Sequence, residues 1–165
     1  MAGIDPKSSV FRIYRDVRFS KDKSPYKTNL GAFIAPGGKK AMSPGYYFHV
    51  QPKMFFSAAG KHMPDASELL KIRNAIAENT KDFLKIVEGK KFRDRFGDLH
   101  GDRLSRPPKG FAADHPAIEY LKQKSFTVGE EFSEATAISK DYPKILADSF
   151  KAAYPLVVFL RNALG

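Results

Sequence analysis

The sequence predicts an α+β domain: one antiparallel sheet of about five strands with helices packed on one face. Three observations carry that expectation. Short runs of alternating apolar and polar residues, separated by turn signals, fill the first 60 positions. From Pro64 onward the apolar period becomes helical, with Leu69, Ile72 and Ile76 at three- to four-residue spacing. A late alternating run at residues 125–132 then supplies a last strand. Strands followed by helices, rather than interleaved with them, favour an antiparallel sheet with a segregated helical layer.

Taken in order, residues 10–19 put Phe11, Ile13, Val17 and Phe19 on one strand face and Arg12, Tyr14, Asp16 and Arg18 on the other. Residues 30–35 form a short apolar strand closed by Pro36-Gly37-Gly38. Residues 45–50 form a third, with Tyr46, Phe48 and Val50 opposite Tyr47 and His49, and residues 54–59 a fourth, ended by Gly60. Pro64-Asp65 opens a helix, and Thr80 is placed to cap a second one carrying Phe83, Leu84 and Val87, which Gly89 stops. Residues 90–112 read as an irregular basic loop. Asp114 is positioned as an N-cap for a helix through Leu121. In the strand at 125–132, Phe126, Val128 and Phe132 share a face. Asp141 before Pro143 opens a final helix with Ile145, Leu146, Phe150 and Tyr154, which Pro155 is expected to kink. Without repeats or low-complexity tracts, residues 1–165 read as a single domain, with residues 1–9 disordered.

Composition narrows the functional classes. At 165 residues and 42% hydrophobic content, such a chain buries roughly two-thirds of its unfolded surface and needs no metal or disulfide to fold. Cysteine is absent, which removes disulfides, thiolate nucleophiles and Cys-ligated zinc. No apolar run approaches the roughly 20 residues of a membrane span, and the N-terminal residues lack a signal-peptide core. A cytoplasmic protein with no membrane partner is the expectation. The net charge is +10, and residues 1–60 hold ten basic and three acidic side chains, a net of +7. That asymmetry suits a polyanion partner, although charge also serves solubility.

The stretch FRIYRDVRFSKDKSPY is the centre of the functional question. Alternation places Arg15 among Phe11, Ile13, Val17 and Phe19, so it is expected to face the core, where it needs a partner or a ligand. Arg12 and Arg18 flank Asp16 on the other face. Lys23, Tyr26 and Lys27 follow around Ser24-Pro25. Arginine forks, lysine charges and a tyrosine hydroxyl in one region suit a phosphate or carboxylate; paired surface charges with no ligand are the simpler alternative. Tyr47 and His49 share the polar face of the third strand, and His49 is a weak candidate general base. Arg106 and Lys109, in LSRPPKGF, form a second basic patch, which is either an ordered connector or a loop closing over the same anion. His49, His62, His100 and His115 have no metal-ligand spacing, so no metal is expected. Phosphate-loop, dinucleotide and nucleophile-elbow motifs are missing, so no cofactor is expected.

Arg12, Arg15-Asp16, Arg18-Phe19, Asp22-Lys23 and Pro25-Tyr26 together resemble the signature of domain-of-unknown-function family 2461, a mostly bacterial group. GYYFHVQP, FFSAAGKHMP and the region from GDRLSRPPKGF to HPAIEYLKQKSF are similar to it as well, so the resemblance covers nearly the whole chain. It implies that the arginine stretch is a family feature, and it carries over no activity, cofactor or ligand. Members of the family start with a helical segment bearing tryptophan, so the resemblance implies a chain shortened at its N-terminus. Three functional expectations stand at this level: binding of a phosphorylated or otherwise anionic small ligand through Arg12, Arg15, Arg18, Lys23, Tyr26 and Lys27; nucleic-acid binding with Tyr14 and Tyr47 as stacking platforms; and an enzyme acting on an anionic substrate through His49. Oligomeric state is not specified by the sequence.

Overall fold

The computed structural model describes residues 4, 6–19, 21–40 and 42–165. Four antiparallel strands, β1 (Leu30–Ile34), β2 (Gly45–Gln51), β3 (Met54–Lys61) and β4 (Phe126–Phe132), lie in the order β1-β2-β3-β4. The helices are α1 (Pro6–Ser9), α2 (Ala66–Glu78), α3 (Thr80–Val87), α4 (Lys90–Phe96), α5 (Ile118–Leu121), α6 (Glu134–Ala137) and α7 (Tyr142–Leu164). The fold is thus α+β with an antiparallel sheet. None of the described helices is long and apolar enough to cross a membrane.

Alternation along β3 divides the sheet into two faces. Phe55, Ser57 and Ala59 are buried toward the helices. The Ser57 and Ser149 hydroxyls bond at 2.9 Å, fixing α7 against the strand. Small residues at Ser57 and Ala59 allow this close approach. Ala153, Leu156, Val157 and Leu160 of α7 then meet Ile72 and Ile76 of α2, Phe83 and Val87 of α3, and Phe126 and Val128 of β4 in one core. Each fully buried large aliphatic side chain stabilises by roughly 2 kcal/mol. The other face carries Tyr47, His49, Phe56 and Ala58, and among the described residues no helix covers it.

Several local expectations are met and some are corrected. Asp65 caps α2 in a full capping box with Glu68. Glu68 also pairs at 2.6 Å with Lys61, an ammonium almost entirely buried at the end of β3, which donates to the Met42 carbonyl as well. Thr80 begins α3 behind the cap Asn79, and its hydroxyl donates back to Ile76. Asp114 does not cap a long helix: α5 starts at Ile118 behind Ala117, whose amide donates to His115 Nδ1. Lys90–Phe96, expected to be loop, is helical because Phe92 and Phe96, four apart, insert into the core. Of residues 1–9, Pro6–Ser9 forms a helical turn with Ser9 buried, while 1–3 and 5 lie outside the described residues. The final helix runs through Pro155 as one element.

The largest correction concerns residues 10–19, which are not a regular strand. They touch β1 at the isolated bridge Val10–Ala32 and fold back on residues 25–27 through the bridge Tyr14–Tyr26. Arg15 N donates to Pro25 O, and Lys27 N to Ile13 O. Phe11 and Ile13 are exposed, and Phe19 is 96% exposed, so the face that alternation assigned to the core is at the surface. The cause is local. Asp16 accepts from the Arg18 amide and Asp22 from the Ser24 amide, two short side-chain-to-backbone bonds that curl the chain away from a ladder. Pro25 has no N–H to contribute to one.

Gly60 sits at φ +124° where β3 passes β4, and an added Cβ would lie 2.0 Å from the Phe126 carbonyl oxygen. Gly60→Ala is expected to destabilise by about 2 kcal/mol or more. Urea denaturation followed by circular dichroism measures this, and an unchanged midpoint would contradict the packing described.

Candidate functional site

Residues 10–19 and 21–29 form a hairpin-like arm along the β1 edge of the sheet, and they hold six basic and two acidic side chains. Both acids are engaged within the arm. Asp22 pairs with Arg15 and accepts from the Ser24 hydroxyl at 2.7 Å, while Arg15 also donates to Ser24 at 2.8 Å. The bonds from Ser24, joined by that of Arg15, hold the Asp22 carboxyl down at a pKa of about 2. Arg18 bonds both oxygens of Asp16, at 2.9 and 2.6 Å, and lowers its pKa. Arg15 is thus not a buried charge in need of a ligand; its acid lies seven residues further along the same arm. Lys23 donates to the Val17 carbonyl at 2.9 Å. Arg12, Lys21 and Lys27 are exposed.

Aromatic side chains accompany these cations. The rings of Tyr14 and Tyr26, each more than half exposed, lie 5.4 Å apart across the arm. At its base, Phe11 meets Tyr47 edge-on at 6.2 Å, and Lys39 lies 5.5 Å over the Phe11 ring. The aromatic row then continues over the uncovered face. Tyr47 Oη bonds His49 Nδ1 at 3.0 Å, His49 Nε2 bonds Gln51 at 3.2 Å, and His49 stacks on Phe56 at 4.9 Å. Gly31 makes room for this: a Cβ there would stand 2.7 Å from the Tyr47 hydroxyl. Burial raises the Tyr47 pKa, so its hydroxyl stays protonated.

Of the residues singled out in the sequence, the structure gathers Arg12, Arg15, Asp16, Arg18, Lys23, Tyr26 and Lys27 on one arm, with Tyr47 and His49 beyond its base. Tyr26 and Lys27 also line a groove of about 540 Å³ with Leu30 and Gln51. Arg106 and Lys109 are not brought in. Their loop is tied to the opposite edge through the bridges His100–Thr127 and Arg103–Gln123, roughly 14 Å away across three strand spacings. His49 is not poised as a general base toward a substrate, because both of its ring nitrogens are bonded within the sheet face. Sequence reasoning missed Lys39 and Phe56. The alternation of β3 places Phe56 beside His49, but only the β2–β3 register reveals the pairing. Among the described residues no group of three or more His, Asp or Glu side chains is placed to hold a metal ion.

Since Asp22 titrates below an ordinary aspartate, its bonds favour the closed arm above the unfolded pKa near 4 and lose effect as pH falls toward 2. The Arg15 and Lys27 amides are therefore expected to lose hydrogen-exchange protection on acidification through that window and in Asp22→Asn at neutral pH. Protection unchanged in both cases would remove the pair as the arm's clasp.

The chain matches the family described as Conserved hypothetical protein (DUF2461) over residues 1–159. No curated protein and no solved structure matches it.

Proposed function

We propose, for a chain that belongs to domain-of-unknown-function family 2461, that it binds an extended polyanion, single-stranded nucleic acid, along the cationic arm and the adjoining aromatic face. The observation that carries this reading is the exposure of the arm's charges. Arg12, Lys21, Lys23 and Lys27 present cations on an open surface beside the exposed Tyr14 and Tyr26 rings. Lysine and arginine neutralise phosphates, and exposed rings stack on bases without sequence preference. Tyr47, His49 and Phe56 extend the stacking surface across the sheet.

A small anion is favoured less, because it needs a concave site with converging donors. Among the described residues, grooves of about 470, 540 and 330 Å³ are lined by no arginine, and the forks of Arg15 and Arg18 are already engaged with carboxylates. The same acids support the polyanion reading, since they hold the arm in shape while leaving its net charge positive.

Fluorescence anisotropy with a labelled single-stranded oligonucleotide tests the proposal. Binding is expected to weaken with salt, with log Kd rising by about 2–3 per decade of salt for three to four phosphates neutralised at about 0.7 each. The double variant Arg12→Ala/Lys27→Ala should lower that slope by about 1.4. Salt-independent binding, or tight binding of inorganic phosphate with none of the oligonucleotide, would overturn it.

A further inference from the structure

A groove of about 540 Å³ opens where the base of the arm meets one end of the sheet, a volume ordinary for a ligand site. Leu30, Val50 and Phe55 line it side by side from neighbouring strands, on the helix-facing side of the sheet. Leu30 is 51% exposed, so the helical layer stops short of this corner. Ile13 and Tyr26 of the arm, both exposed, add a wall. Across from them α6, packed on β3, brings in Glu134.

The lining is largely apolar, but it carries one charge of each sign. Lys27 comes from the arm and Glu134 from α6, and neither has an ion-pair partner among the described residues. Topology keeps them apart. Lys27 precedes the first strand of the sheet and Glu134 follows the last, a separation of three strand spacings or roughly 14 Å. A ligand that satisfies both must therefore carry an anion at one end, an apolar or flat body, and N–H donors at the other end, since a carboxylate only accepts. An amino acid fails, because its two charges are adjacent. Inorganic phosphate fails too, having neither body nor donors.

A nucleotide has all three parts in that order. Among the bases, guanine suits a carboxylate best: its ring N–H and its amino group donate side by side to the two oxygens. Adenine and cytosine set a ring-nitrogen acceptor beside their amino group, and thymine flanks its N–H with carbonyls, so each brings a lone pair against the carboxylate. Tyr26 and Lys27 belong to the arm and to the groove alike. A strand lying along the arm thus reaches the groove by turning one base out of its stack, the usual way single strands are read.

We propose that this groove receives one guanine nucleotide of the bound strand, with Lys27 on its phosphate and Glu134 reading the Watson–Crick edge of the base. The inference rests on the nucleic-acid reading above and adds to it a base preference.

Fluorescence anisotropy on the whole chain tests it by comparing a labelled oligothymidylate with the same oligomer carrying one central guanosine. The guanosine oligomer is expected to bind roughly tenfold tighter, from added hydrogen bonds to a charged acceptor, and adenosine at the same place should bring no such gain. Glu134→Gln, at an exposed position, should return the guanosine oligomer to about the affinity of the oligothymidylate, which itself still binds. The Leu30 and Val50 methyl resonances should move with the guanosine oligomer only. Equal binding of the two oligomers by the native protein would overturn the base site and spare the nucleic-acid reading, whereas binding of neither would overturn both. A preference that survives Glu134→Gln would remove Glu134 as the reader of the base. Guanosine monophosphate binding as tightly as the oligomer would equally sink the proposal, because the strand would then have no part in it.

Discussion

The contact between α7 and β3 is the constraint on which the rest of the molecule depends. Ser57 and Ala59 are small, so the helix comes close enough for the Ser57 and Ser149 hydroxyls to meet, and the apolar stripe of α7 fills the remaining space. Once α7 lies there, α2, α3 and α4 pack around it on the same side, because their apolar stripes have no other surface to bury. The opposite face of the sheet is left to Tyr47, His49 and Phe56. They are half-buried by one another and by Phe11 rather than by a helix. The one-sided helical layer is therefore also what leaves an aromatic surface beside the arm.

Charge is organised by a second constraint, the short side-chain-to-backbone bonds of Asp16 and Asp22. Each aspartate caps a local turn and holds an arginine in the same arm. A curled segment with Arg15 and Arg18 held by its own acids results, instead of a strand with Arg15 driven inward. The buried Lys61–Glu68 pair is a contrast within the same protein. There the ammonium is almost wholly removed from water, and two close acceptors offset the desolvation. On the arm water does most of that work, and the charges remain available to an outside partner.

Much of the fold was legible in the sequence because one face of each regular element is buried. The period-two runs gave β1 to β4, and the helical spacing of Leu69, Ile72 and Ile76 gave α2. The arm was misread for a physical reason: alternation in residues 10–19 is genuine, but a pattern of apolar residues says nothing about which surface they meet. Local turns at Asp16 and Asp22 overrode it. The residues of the site were legible as a group, since Arg12 to Lys27 are contiguous, whereas their partners were not. That Arg15 meets Asp22, or that Arg106 and Lys109 sit at the far edge, depends on hairpin register and strand order, which no local pattern encodes.

Amide chemical-shift mapping during titration with a single-stranded oligothymidylate tests the central claim most directly. Shifts confined to residues 10–29, Lys39 and the uncovered face around Tyr47, His49 and Phe56 are the predicted result. Shifts on the helical face alone, or none at any concentration of oligonucleotide, would contradict a polyanion-binding arm.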